Sequence, residues 1–213
     1  MKQNMRKRTP LAVLLALCLA MQLCVPAAMA SNRLMRAGDA AIEQIEEEEG
    51  FRAEKYSSGG KWYIGYGTEC DAEDYPEGIT REEAELLLMS KVEAYEAKLN
   101  DFFDRYDVTP TQGQFDALIC FSYNFGTGWM SGTSDLVKIA RGEKDATRLE
   151  VAHAFGEWCH SGGQAQAGLA DRRLQEAAIY LDDSTRAAEN EFAYLIINME
   201  SGTSYETDFA VYE

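Results

Sequence analysis

The chain has 213 residues, 46% of them hydrophobic, and its 36 Asp and Glu against 20 Lys and Arg give a formal charge of −16. That length supports one domain with a real core and at most a small appendage. So acidic a balance argues against nucleic acid or an anionic membrane surface as a partner.

Residues 1–30 read as a secretory signal peptide. Lys2, Arg6, Lys7 and Arg8 form a basic start, Leu11 to Val25 an apolar stretch, and Pro26 leads into the small-x-small pattern Ala28-Met29-Ala30. A membrane anchor fits less well, because the apolar stretch is too short to span and contains Gln22. Cleavage near Ala30 predicts a mature chain from Ser31 that is secreted or held at the cell envelope, without stable membrane insertion. It removes four basic residues and no acidic ones, so 16 Lys and Arg face 36 acids at a formal charge of −20. Cys18 and Cys24 leave with it. Of the remaining cysteines, Cys120 lies in the apolar run from Phe115 to Phe121 and reads as a buried small hydrophobe. Three is an odd count, so at least one thiol stays free or pairs outside the chain, and pairing of Cys70 with Cys159 is left open. His153 and His160 without paired cysteine spacing give no zinc pattern, and neither a metal nor another cofactor is expected.

Leu34, Ala41, Ile42 and Ile45 share one arc of a helical projection, which predicts an amphipathic helix over 33–49. Gly38 weakens its first turns and Gly50 suits its C-cap. Residues 54–68 alternate with period two around Ser57-Ser58-Gly59-Gly60, predicting a β-hairpin with a third short strand near Cys70. Thr80 to Glu83 is a capping box opening a long helix to about Asp104. Thr111 to Gln114 opens another that ends at Phe125-Gly126, and shorter helices follow over 134–141, 145–159 and 171–182. Strands confined to one end of a mostly helical chain make the fold α+β: a small β-hairpin lobe and a larger helical lobe joined by a long helix. The main domain spans 31–183. Residues 184–213, with an apolar run from Phe192 to Met199 and a candidate second strand from Tyr205 to Tyr212, read as a C-terminal appendage and a candidate β-hairpin of its own.

Four glutamates close the first predicted helix. The stripe of Ile42 and Ile45 is centred on Glu49, whereas Glu46 and Glu48 flank it and Glu47 lies opposite. Counting Leu34 and Ala41 widens the arc toward Glu48. Three of the four therefore suit a wet helix face. Glu49 sits on the core-facing side of the last turn, where burial, the negative end of the helix dipole and its acidic neighbours all favour the protonated acid. A protonated carboxyl is what a general acid needs to protonate a leaving glycosidic oxygen.

Glu49-Gly50, Arg52, Tyr56, a glycine turn and Ile64-Gly65-Tyr66-Gly67 together resemble the N-terminal signature of the phage-type lysozymes, glycoside hydrolase family 24. Gln114 to Leu118 with Tyr123-Asn-Phe-Gly126 looks like that family's central helix, and Trp158, Gly162-Gly163, Gly168-Leu169 and Arg172-Arg173-Leu-Gln-Glu176 look like its C-terminal lobe. The likeness covers roughly residues 35–182. It implies a lysozyme-like fold, a peptidoglycan glycan strand as partner and Glu49 as proton donor, in a monomer. The family pattern usually has an aspartate two residues after the tyrosine and a threonine before the Ile-Gly. Here those places fall at Ser58 and Tyr63, and the hairpin turn is one residue shorter, so Ser57 is an alternative alignment.

A serine hydroxyl can hold a water or a sugar but cannot act as a base, which leaves the usual second carboxylate in question. Asp71, Glu69, Asp74 or Glu54 could supply the charge from a displaced position, though each alone reads as surface charge. The expected catalytic set is therefore Glu49, Ser58 and Tyr63, with Ser57, Tyr66 and Asn124 as substrate contacts. Trp62, Tyr66 and Trp129 are candidate sugar-stacking aromatics, with core packing the better reading for at least two of them. Arg172 and Arg173 either reach the cleft, where an ion pair with Glu49 would oppose the protonated acid, or brace their own helix through Glu176. The resulting expectation is a secreted muramidase cleaving the β-1,4 bond between N-acetylmuramic acid and N-acetylglucosamine. The alternatives are a lytic transglycosylase using the same glutamate and a peptidoglycan-binding protein without turnover.

Overall fold

The computed structural model describes residues 34–181. The expected leader and the appendage over 184–213 lie outside them. The first helix, α1 (Asp39–Glu49), starts six residues later than its apolar stripe predicts. Gly38 is its N-cap, extended at φ −84° and ψ 174°. The backbone donors just before the helix are taken by side chains instead of a helical ladder. Met35 N–H donates to Asn100 Oδ1 at 2.8 Å, Ala37 N–H to Glu96 Oε1 at 2.8 Å, and Gly38 N–H to Asp116 Oδ1 at 2.8 Å. A Cβ at position 38 would stand 2.7 Å from Asp116 Oδ2, so glycine allows this close approach.

The hairpin forms as expected. β1 (Arg52–Ser58) turns at Gly59-Gly60, both at positive φ, into β2 (Lys61–Gly65), and β3 (Thr68–Cys70) adds the third antiparallel strand. Register aligns Tyr56 with Tyr63 and Tyr63 with Glu69, so these three side chains share one face of the sheet.

α2 (Arg81–Tyr106) runs 26 residues, about 39 Å at the usual rise. The Thr80–Glu83 capping box opens it, and Ala84, Leu88, Val92 and Leu99 form its buried stripe. A second capping box, Thr111 with Gln114, opens α3 (Gln112–Phe125), which is buried without interruption from Phe115 to Tyr123. A helix apolar on nearly every side belongs in the middle of a core, and its two buried polar side chains are hydrogen-bonded, Asp116 to Gly38 N–H and Ser122 to Trp129 Nε1–H. α3 packs against α1, α2 and the last helix.

A 3-10 turn (Gly128–Ser131), α4 (Asp135–Ala140), α5 (Arg148–Gly156), a two-residue hairpin of β4 (His160–Ser161) and β5 (Gln164–Ala165), and α6 (Ala167–Tyr180) complete the helical lobe. α5 begins later than predicted because Thr147 caps it, accepting from Glu150 N–H. α6 begins four residues earlier than predicted. Gln166 N–H closes the small hairpin on Cys159 O at 2.9 Å and leaves Ala167 free to start the helix. The architecture is the expected α+β arrangement of small sheet and larger helical lobe.

Cys120 is fully buried, with its thiol 3.5 Å from Ala41 O. Cys70 is a free, half-buried thiol on β3, so it is not paired with Cys159. Among the described residues no helix is long and apolar enough to cross a membrane.

Candidate active site

Glu49 is the last residue of α1, and Gly50, at φ 62°, ends the helix with its N–H on Glu46 O at 3.1 Å. The Glu49 side chain is 21% exposed. Its Oε1 accepts from Arg172 Nη1 at 2.8 Å. Its Oε2 faces Gly67, where a Cβ would come within 2.9 Å. Gly67 sits at φ 72°, so both space and backbone conformation demand glycine beside this carboxylate.

The free side of Glu49 opens into a hollow of about 230 Å³ lined also by Tyr56, Ser58, Tyr63, Gly67, Lys91, Tyr123 and Asn124. A second hollow of about 420 Å³ adjoins it, sharing Tyr63, Gly67 and Lys91 and adding Thr68, Glu69, Leu87, Ser90 and Tyr95. Together they form a groove between the sheet and the helices. The two tyrosines on the sheet stack loosely, with ring centroids 5.7 Å apart and a 30° interplanar angle. Lys91 lies across from them, its Nζ 3.7 Å from the centroid of the Tyr123 ring and donating to Gly67 O at 3.3 Å. Burial draws the Lys91 ammonium below its ordinary range, and the negative charges of Glu49 and Glu69 oppose that shift.

Behind the groove, α6 supplies a buried charge cluster. Glu176 is fully buried and its Oε1 accepts from Arg173 Nη2 at 2.9 Å, with Arg172 Nε at 3.5 Å. Arg173 Nη2 also donates to Asn124 Oδ1 at 3.1 Å. The Arg173 guanidinium lies 4.7 Å from the Phe121 ring centroid, which gives a buried cation an aromatic face. One acid therefore anchors two arginines, and each arginine holds one residue of the hollow. Burial pushes the Glu176 carboxyl up to about 8, with both guanidiniums opposing it. Burial likewise works against the charge on Arg172, but the carboxylates of Glu49 and Glu176 hold it above its ordinary range.

The two readings of the arginine pair thus hold at once: Arg172 reaches the cleft, and both brace α6. Of the other glutamates, Glu47 is exposed, and Glu46 and Glu48 are half-buried. Glu48 accepts from Gln44 Nε2 at 3.1 Å, and burial raises its carboxyl, but it does not line the hollow.

Glu49, Ser58, Tyr63 and Asn124 come together from four separate elements. Ser57 does not join them, because it pairs with Trp62 one position out of phase with Tyr56 and Tyr63. Tyr66 is 1% exposed, with its hydroxyl accepting from Arg81 Nη1 at 2.7 Å and its carbonyl accepting from Tyr123 OH at 2.7 Å. It therefore packs in the core, where a substrate contact was expected. Trp129 is also core, its Nε1–H donating to buried Ser122 Oγ at 3.0 Å, while Trp62 stays 40% exposed. Lys91 was missed. Nothing in the pattern of a 26-residue helix marks one lysine, and only the packing of α2 beside Gly67 brings it to the groove.

The model of the phage lysozyme family matches residues 46–176. The chain is 35% identical over 149 residues to an endolysin of Bacillus phage PZA, covering 68% of this chain and 55% of that one. It is 33% identical over 165 residues to an endolysin of Bacillus phage B103, covering 74% and 58%. The chain thus spans a little over half the length of these curated relatives. Among solved structures, the endolysin from Escherichia coli O157:H7 phage FAHEc1 resembles it with a TM-score of 0.58 at 31% identity, covering 70% of this chain and 94% of that one. The muramidase domain of SpmX from Asticaccaulis excentricus does so with a TM-score of 0.55 at 28% identity, covering 68% and 97%.

Proposed function

The chain belongs to the phage lysozyme family, and on that premise we propose that it is a muramidase. Its substrate is the glycan strand of peptidoglycan, cut at the β-1,4 bond between N-acetylmuramic acid and N-acetylglucosamine. The single observation that carries this reading is a carboxylate held by a buried arginine at the head of a groove lined with tyrosines and hydroxyls. Arg172 orients Glu49 through Oε1, so Oε2, beside Gly67, is the oxygen that presents a proton to the glycosidic oxygen. Ser58 and Tyr63 position water or sugar from the sheet, and Asn124, held by Arg173, hydrogen-bonds the glycan from the helical side. The protein acts as a monomer, without metal or cofactor. Export belongs to the same reading, on the strength of the basic and apolar leader through Ala30.

The test is digestion of purified peptidoglycan, followed by mass analysis of the released sugars. Hydrolysis gives muropeptides with reducing ends. Products lighter by one water are anhydro sugars and would make the protein a lytic transglycosylase. Binding without release would make it a wall-binding protein. Glu49→Gln is expected to lower kcat by about 10²–10⁴-fold while leaving the fold and wall binding intact, since amide and acid are nearly isosteric. Changing Glu46, Glu47 and Glu48 together to Gln should keep most activity; the reverse pattern would reject Glu49 as the acid.

A further inference from the structure

Only one of the residues lining the inner hollow is a carboxylate, Glu49. Hydrolysis by a single acid leaves the incoming water without a base and the positive charge developing at the anomeric carbon without a counter-charge. The position where the family pattern has its aspartate is Ser58 on β1. Directly across from Ser58 is Lys61, and the Lys61 Nζ donates to Glu69 Oε2 at 2.8 Å. Glu69 in turn is the cross-strand partner of Tyr63. Alternation places Tyr56, Ser58, Lys61, Tyr63 and Glu69 on the same face of the sheet, and Glu69 lines the part of the groove that shares Tyr63, Gly67 and Lys91 with the Glu49 hollow. The carboxylate absent from the first strand is thus present on the third.

We propose that Glu69 is the second catalytic carboxylate, the base that activates water on the face of the sugar opposite Glu49. The proposal rests on the muramidase reading. The other displaced acids do not compete: Asp74 is taken up in its own turn, accepting from Asp71 N–H at 2.9 Å. Asp71, Asp74 and Glu54 line neither part of the groove. The bond to Glu69 holds the Lys61 ammonium above its ordinary range, and the pair fixes the Glu69 side chain on the groove face of the sheet.

Glu69 lies outside the hollow that Glu49 heads, with Tyr63 and Lys91 common to both parts. A water activated by Glu69 attacks from the face opposite Glu49, and such an attack inverts configuration, whereas a carboxylate attacking directly would form a covalent intermediate. The step then balances as follows. Glu49 gives its proton to the glycosidic oxygen as the bond to the anomeric carbon breaks. The water oxygen bonds to that carbon from the far side, its proton passes to Glu69, and the β-linkage yields an α-configured reducing sugar. Exchange with solvent then returns a proton to Glu49 and takes one from Glu69.

The experiment is early-time NMR of the anomer released from a defined peptidoglycan oligosaccharide, run on the parent, Glu69→Gln, Glu69→Ala and Glu49→Gln. The parent should release the α-anomer first. Glu69→Gln should lower kcat about 10²-fold or more with little change in KM. Sodium azide should restore turnover to Glu69→Ala and yield an α-glycosyl azide, the azide nitrogen bonding where water would have done; a merely structural role for Glu69 would give no such product. Glu69→Gln turning over like the parent while Glu49→Gln is inert overturns the proposal and leaves the muramidase reading standing. A β-anomer released first, or Glu69→Ala without azide product, also overturns it. A parent that cleaves nothing ends both.

Discussion

On the helical wall of the groove, Glu49 and Asn124 are each held by a guanidinium, and both guanidiniums converge on Glu176, whose side chain is 0% exposed. On the sheet wall, the Lys61–Glu69 pair stands in solvent, its side chains 58% and 56% exposed. The first arrangement tolerates little change, since removing one member strands a buried charge among apolar neighbours. The second is screened by water and can be rebuilt residue by residue at small cost. The departures from the family pattern follow that division. Ser58 and Tyr63 are both on the sheet, whereas Glu49, Asn124, Arg172, Arg173 and Glu176, all on the helical side, match it.

If the walls differ in this way, substitutions on the helical side should cost stability, and those on the sheet should cost turnover alone. A large effect is expected from Glu176→Ala, which leaves the Arg173 guanidinium buried without the Glu176 oxygen it donates to. It should lower the unfolding free energy by about 3–5 kcal/mol in urea titration and disorder the cleft ends of both arginines. A loss no larger than that of a surface change would erase the contrast between the walls.

A second effect is the pH dependence of the same cluster. The Glu176 carboxyl titrates near 4.5 when unfolded and about 8 when folded. Between those values the folded chain binds the extra proton, so this contribution to stability is complete below 4.5 and is lost as pH rises through 8. The melting temperature of the parent should therefore fall across that window relative to Glu176→Gln, which has no proton to lose. Parallel curves for the two proteins would reject the assignment. The smallest effect on stability is expected from Lys61→Met. Its melting temperature should match the parent, while turnover falls by less than in Glu69→Gln, because Lys61 supports Glu69 without touching water or sugar. A clear drop in melting temperature would show the sheet wall to be as tightly built as the helical one.

Local chemistry was legible in the sequence. The capping boxes at Thr80 and Thr111, the Gly59-Gly60 turn and the mostly apolar run of α3 each depend on residues within a few positions of one another, and each appeared where it was expected. The helical projection singled out Glu49 for the same reason: the face of a short helix is set by local spacing. The start of α1 was misjudged because its backbone donors go to Asn100, Glu96 and Asp116, which are distant in sequence. Tyr66 looked like a cleft aromatic and is core, because its neighbours Arg81 and Tyr123 come from two other helices.

By itself, then, the sequence determined the fold class, the family signature and which glutamate of the first helix faces inward, all of which follow from short-range periodicity and residue order. Only the tertiary structure decided which arginine holds Glu49, that Lys91 enters the groove and that Glu69 shares a face with Tyr63. Those relations join residues from different elements, and a contact of that kind is set by how helices and strands pack, about which the spacing of residues along one element says nothing.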